Sequence, residues 1–125
     1  VLRICAQLEK QTILSRSTYR RQNHGPACRL YKKPIDTKAF DDYYASTHAP
    51  LAKTLPGLKS YEISAGPVVL AQGDSPYHLV AVLRFDSVDA IKSAFDSPEG
   101  QATAADLGNF AQAGVDLLMF DTREA

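Results

Sequence analysis

Residues 77–85, YHLVAVLRF, are the stretch on which the fold turns. Tyr77, Leu79, Ala81, Leu83 and Phe85 make one wholly apolar face, while His78, Val80, Val82 and Arg84 make a mixed one. Alternation with period two marks a β-strand, and a strand apolar on one face and half apolar on the other is covered on both. Helices of the same chain are expected to supply the first cover. A second subunit is expected to supply the other, with His78 and Arg84 at that interface.

Moving toward the N-terminus, Tyr61, Ile63 and Ala65 alternate with Ser60, Glu62 and Ser64, which predicts a second strand with one buried face. It bends at Gly66-Pro67, and the apolar run Val68, Val69, Leu70 extends it. Pro56-Gly57 is a turn signal. Before it, Asp36 is placed to cap a helix running from about Thr37 to Thr47 or His48. Phe40, Tyr44 and His48 stand at successive i, i+4 positions, so all three lie on one helix face. Asp41 and Asp42 fall toward solvent. Pro50 stops simple continuation, with Leu51, Ala52 and Leu55 adding one more turn. Ala27–Tyr31 is a short strand, entered after the break at Pro26 and ended by Lys32, Lys33 and Pro34.

Moving toward the C-terminus, Ser87 caps a helix with Val88, Ile91, Ala94 and Phe95 on its buried stripe. Ser97-Pro98-Glu99 restarts a helix that ends near Gly108 or Phe110. Gly114 leads into a last strand, Val115–Asp121. The order β-α-β-β-α-β predicts an α+β, ferredoxin-like domain: a four-stranded antiparallel sheet with both helices on one face. The uncovered face, carrying Val80 and Val82, predicts a homodimer that buries sheet against sheet.

The length of 125 residues fits one domain, and 45% apolar with 22% charged residues fits an ordinary globular chain. The formal net charge is zero, but residues 1–29 hold six basic residues against one acid, leaving the rest acidic. An acidic body argues against nucleic-acid binding. No apolar run approaches the ~20 residues that cross a bilayer. Cys5 and Cys28 form neither a metal motif nor a disulfide framework, so they are read as free thiols of a cytoplasmic protein. The first dozen residues have a weak amphipathic pattern through Leu2, Cys5, Leu8 and Thr12. Arg-rich and acid-poor, the start has the composition of an organelle transit peptide. The reading taken is plainer: residues 1–26 are a poorly ordered or non-native extension, and 27–125 are the domain.

Several spaced motifs occur in order: YKKP at 31–34, F-x-x-Y-Y-x-x-x-H-x-P-L-A over Phe40–Ala52, L-P-G-L at 55–58, P-Y at 76–77, F-D-S at 85–87 and S-P-E-G-x-A-x-x-A-D-x-x-N-F-A over Ser97–Ala111. From Ala27 to Asp121 the chain resembles the EthD family, named for a protein of ethyl tert-butyl ether degradation, within the dimeric α+β barrel superfamily. The resemblance implies a homodimer whose two sheets meet in a barrel. It also implies a range of chemistries, from cofactor-free monooxygenases and isomerases to cyclases and haem enzymes, without choosing among them.

His48, on an otherwise apolar helix face, ionises near neutral pH and is the candidate general acid/base. The plainer alternative is a histidine bonding a carbonyl at the helix end. Tyr44, one turn earlier, is expected to orient His48 or to polarise a substrate oxygen; its alternative is a core tyrosine with a satisfied hydroxyl. Phe40, Tyr61 and Tyr77 are expected to line a pocket between sheet and helices, closed by Asp106, Asn109 and Phe110. For Asp106 and Asn109 the alternative is capping of backbone groups. His24, His48 and His78 share no close spacing, and no HxH, CxxC or HExxH occurs, so no metal is expected. No cofactor is expected either, with haem held by His48 as an open alternative. The resulting expectation is cofactor-free oxidoreductase- or isomerase-type proton transfer on a hydrophobic, oxygenated small molecule. Its rival is a non-catalytic carrier serving a neighbouring oxygenase.

Overall fold

The computed structural model describes residues 24–125. The readings of residues 1–23, including the amphipathic start, lie outside them. Four strands, β1 (Gly25–Lys32), β2 (Ser60–Ile63), β3 (Tyr77–Phe85) and β4 (Val115–Met119), form one sheet in the order β2-β3-β1-β4. Every neighbouring pair is antiparallel. Helical segments α1 (Thr37–Tyr43), α2 (Ala49–Ala52), α3 (Val88–Asp96) and α4 (Pro98–Phe110) pack on one face. This is the α+β ferredoxin-like architecture that the element order predicts.

The inner face of β3 is buried at Leu79, Ala81, Leu83 and Phe85, and that of β1 at Ala27, Arg29 and Tyr31. Ile91, Ala94, Thr103 and Phe110 come down from the helices. Burying each large apolar side chain here contributes about 1.5–3 kcal/mol relative to exposure. All three caps form as read from the sequence: Asp36 accepts from the Ala39 amide, Ser87 from Ala90 and Ser97 from Gly100. Ser97 also ends α3, so the two helices meet at a tight corner. A Cβ on Gly100 there would overlap the Ala94 carbonyl and the Phe95 Cα.

Four expectations change. Strand β1 starts at Gly25 and runs through Pro26, which stands opposite Arg84 and accepts from the Phe120 amide at 3.3 Å. The missing proline N–H is tolerated because pairing with β4 begins only at Ala27. Strand β2 stops at Ile63; Val69 and Leu70 lie exposed in a loop after Gly66, whose φ is +79°.

The third change concerns the first helix. It does not stay α-helical to His48 but widens to a π-turn over Tyr44–His48, where the Ala49 amide bonds the Tyr44 carbonyl five residues back. The wider turn sits directly before Pro50, which has no N–H to continue the α pattern.

The fourth is a slip in register between Tyr31 and Lys32, which sets Lys32 opposite Tyr77. The slip exchanges two side chains. Tyr77 donates its hydroxyl to Asp116 at 3.1 Å, and Asp116 pairs with Leu30 on the sheet's outer side. His78 turns toward the helices, 2.7 Å from the Asp41 carboxylate and edge-on to Phe40. Tyr77 is therefore not in the expected pocket, and His78 is not an outer-face residue.

Candidate active site

The i, i+4 row survives the π-turn: Phe40, Tyr44 and His48 are all buried, with exposures of 4%, 2% and 0%. Their rings meet Tyr31 from β1 and Phe110 from α4, with Tyr31–Phe40 centroids 5.5 Å apart and His48–Phe110 centroids 4.6 Å apart. The helix layer is thus locked to the sheet by aromatic edges and faces.

Within that cluster, His48 Nδ1 lies 2.9 Å from Asp106 Oδ2. A carboxylate only accepts, so the imidazole proton sits on Nδ1 and the Nε2 lone pair is left open. Nε2 faces the Tyr31 hydroxyl at 3.4 Å and the Arg29 guanidinium at 3.5 Å, both near the limit of a hydrogen bond. The other Asp106 oxygen accepts from the Tyr43 hydroxyl at 2.6 Å and the Asn109 amide at 3.0 Å. Asp106 therefore holds His48, whereas Tyr44 pairs its hydroxyl with that of Tyr61. The expected role of orienting the imidazole passes from Tyr44 to Asp106.

The electrostatics follow from burial. Desolvation pushes the His48 pKa below its ordinary value, with the Arg29 charge adding to it and Asp106 opposing. Burial alone would raise Asp106, but the hydrogen bonds from Tyr43, Asn109 and His48 outweigh it and hold the carboxyl below its usual range. Burial raises the Tyr31, Tyr44 and Tyr61 hydroxyls, Tyr44 most strongly, while Arg29 pulls each of them back. The site thus pairs a neutral base with an ionised carboxylate, a pattern that recurs where protons are moved.

Beside it, an open cavity of about 540 Å³ is lined by Tyr44, Ala45, Ala49, Tyr61, Ile63 and Leu79, among others. Its polar features include the Tyr44–Tyr61 hydroxyl pair, and His48 stands behind Tyr44, enclosed. Neither imidazole nitrogen is turned into that cavity, as an axial ligand to haem would need to be. Among the described residues, no group of three His, Cys, Asp or Glu is placed to hold a metal ion.

Of the residues singled out in the sequence, Phe40, Tyr44, His48, Tyr61, Asp106, Asn109 and Phe110 come together, and Tyr77 does not. Sequence reasoning missed Arg29, Tyr31 and Tyr43. The signal for the first two was the alternation Ala27, Arg29, Tyr31, which puts an arginine on the core face.

Comparison with known proteins bears on the family and the fold. The EthD domain model matches residues 32–114. An uncharacterized 11.0 kDa protein of the thcB-thcC intergenic region of Rhodococcus erythropolis is 41% identical over 93 residues, covering 74% of this chain and 88% of that protein. The crystal structure of an EthD family protein from Bacillus halodurans superimposes with a TM-score of 0.71 at 29% identity, covering 82% of this chain and 99% of its own. At lower identity the fold is shared with the hydroxynitrile lyase of Passiflora edulis (TM-score 0.64, 17% identity, 83% of this chain and 97% of that one). It is also shared with SnoaB, a cofactor-independent oxygenase from Streptomyces nogalater (TM-score 0.53, 19% identity, 83% and 96%).

Proposed function

The chain belongs to the EthD family of the dimeric α+β barrel superfamily, and on that premise we propose that it moves a proton, without a bound cofactor, on a hydrophobic oxygenated small molecule. The observation that carries this is the His48 imidazole, its Nδ1 proton held by Asp106 and its Nε2 lone pair loosely met at 3.4 and 3.5 Å.

The substrate lies in the cavity beside Tyr44 and Tyr61, and its carbonyl or enol oxygen accepts from that hydroxyl pair. A C–H bond next to the polarised carbon breaks, and its electron pair moves toward the oxygen. The proton reaches Nε2 through Tyr31, which gives its own hydroxyl proton to the imidazole 3.4 Å away as it takes the substrate's. Tyr31 is fully buried and does not line the cavity as it stands, so the Tyr44–Tyr61 pair has to move aside for substrate and Tyr31 to meet. The imidazolium so formed is balanced by the Asp106 carboxylate. Return of the proton to a different carbon would be an isomerisation, and attack of the carbanion on dioxygen would begin an oxygenation. That a cofactor-independent oxygenase and a hydroxynitrile lyase share the fold is a likeness of architecture alone.

A homodimer through the outer sheet face is part of the proposal, supported by partly covered Leu30, Val80 and Val82 and exposed Leu118 on that face. Cys28 is a free thiol, in keeping with work in the cytoplasm. No helix among the described residues is long and apolar enough to cross a membrane.

The complete enclosure of His48 favours a second reading, a carrier in which the buried pair only ties helices to sheet. The two separate cleanly. Molecules that copurify with the protein are identified by mass spectrometry and returned to it in D2O. Deuterium entering the ligand with wild type, and not with a His48→Gln protein that still binds it, is the expected result. Binding without incorporation by either protein would establish the carrier instead.

A further inference from the structure

Arg29 is a charge in an unusual place. It lies on the inner face of the central strand β1 with 3% of its surface exposed. Among the described residues no carboxylate lies within ion-pair distance of it. Its contacts are the Phe95 ring, 5.1 Å from the guanidinium carbon, His48 Nε2 at 3.5 Å and the Tyr31 hydroxyl, to which it hydrogen-bonds. A ring face, a neutral nitrogen and a hydroxyl oxygen lessen the penalty of burying a cation but do not neutralise it. Buried charges that persist in proteins are ordinarily paired, so a guanidinium without a carboxylate marks a place where a negative charge arrives from outside the fold.

There is room beside it. Arg29, Phe95, Ala104, Leu107, Leu117 and Met119 contribute to a cavity of about 120 Å³ between β4 and the α3–α4 pair, on the side of the cluster away from Tyr61. Apart from the Cys28 thiol the other side chains lining it are apolar, so Arg29 is its sole charged group. An apolar wall with one convergent polar group is the usual make-up of a small-molecule site. At about 120 Å³ it is smaller than the apolar cavity of about 150 Å³ that encloses a benzene ring, so a substituted ring fits only with its oxyanion end inside and its far edge in the opening at β4. Leu117 and Met119, on the inner side of the edge strand, are 50% and 42% exposed, so entry is from the β4 edge.

We propose that Arg29 is the anion-binding residue of this second cavity, and that the ligand is a compact apolar oxyanion such as a phenolate, enolate or carboxylate carried on a single ring. The guanidinium supplies charge and N–H donors to the oxyanion, and Phe95, Leu107 and Leu117 cover the ring. The inference goes beyond the proton-transfer reading and shares with it only the expectation of a small oxygenated ligand.

The test uses 4-nitrophenol, whose phenol and phenolate forms absorb at different wavelengths and interconvert near neutral pH. Wild-type protein should bind the phenolate at least about tenfold more tightly than the phenol, seen as a fall of about one unit in the pH at which the bound probe ionises. Arg29→Lys, which keeps a cation, should retain most of that preference, and Arg29→Met should abolish it. Because no carboxylate is left behind, Arg29→Met should melt no lower than wild type, which separates a lost site from a lost fold. His48→Gln should keep the preference, so failure of proton transfer and failure of the anion site are read independently. Equal affinity for the two forms, no binding, or a preference that survives Arg29→Met would overturn the proposal.

Discussion

Acid should find His48. Its folded pKa lies below the ordinary 6.5 because burial, aided by Arg29, outweighs Asp106. Between those two values the unfolded chain takes up a proton that the folded chain refuses. Stability is therefore undiminished above pH 6.5 and falls as the pH drops from there toward the folded pKa. Asp106, held below its ordinary 3.8, adds a second loss at lower pH, as the pH falls through its folded value. Thermal melts across this range should show wild type losing stability below pH 6.5 and His48→Gln losing less; identical slopes would remove the buried neutral imidazole from the account. Asp106→Asn should cost about 1–3 kcal/mol in chemical denaturation, since at least one of three converging donors loses its acceptor. At this scale Phe40, Tyr44 and His48 were legible because spacing alone puts them on one face. Arg29 was not, because a charge in a short strand is ordinarily given to solvent and its burial depends on what packs above it.

The elements were read well wherever local chemistry decides them. Asp36, Ser87 and Ser97 each offer an oxygen to amides that would otherwise go unpaired, and each forms the expected cap. The π-turn could not be read, since side chains at i and i+4 share a face in either helix and only the Ala49-to-Tyr44 bond tells them apart. The slip at Tyr31/Lys32 is likewise a property of two strands together, so the exchange of Tyr77 and His78 was invisible in either strand alone. The corner between α3 and α4 gives the sharpest test here. A methyl group at Gly100 meets the backbone of Ala94 and Phe95, which cannot move aside cheaply. Gly100→Ala should therefore destabilise by about 1–3 kcal/mol or more, measured by urea unfolding. Gly108→Ala, with open space at its Cβ, serves as the tolerant control.

Across the whole molecule, the helices cover one face of the sheet and leave Leu30, Val80, Val82 and Leu118 on the other. The alternation in residues 77–85 foretold that two-sided demand, and no local signal could say what meets the second side. If a second copy does, Val82→Asp places a charge at the centre of the joint and should yield monomers in sedimentation experiments, with wild type a dimer. An unchanged dimer would move the interface elsewhere. The central claim is narrower and concerns the proton on His48. Nitrogen-15 NMR of histidine-labelled protein near neutral pH reads it directly. The account predicts a neutral His48 ring with its proton on Nδ1 and an unprotonated Nε2, a state that weakens in Asp106→Asn. A His48 ring that is doubly protonated near neutral pH, or protonated on Nε2, would contradict it.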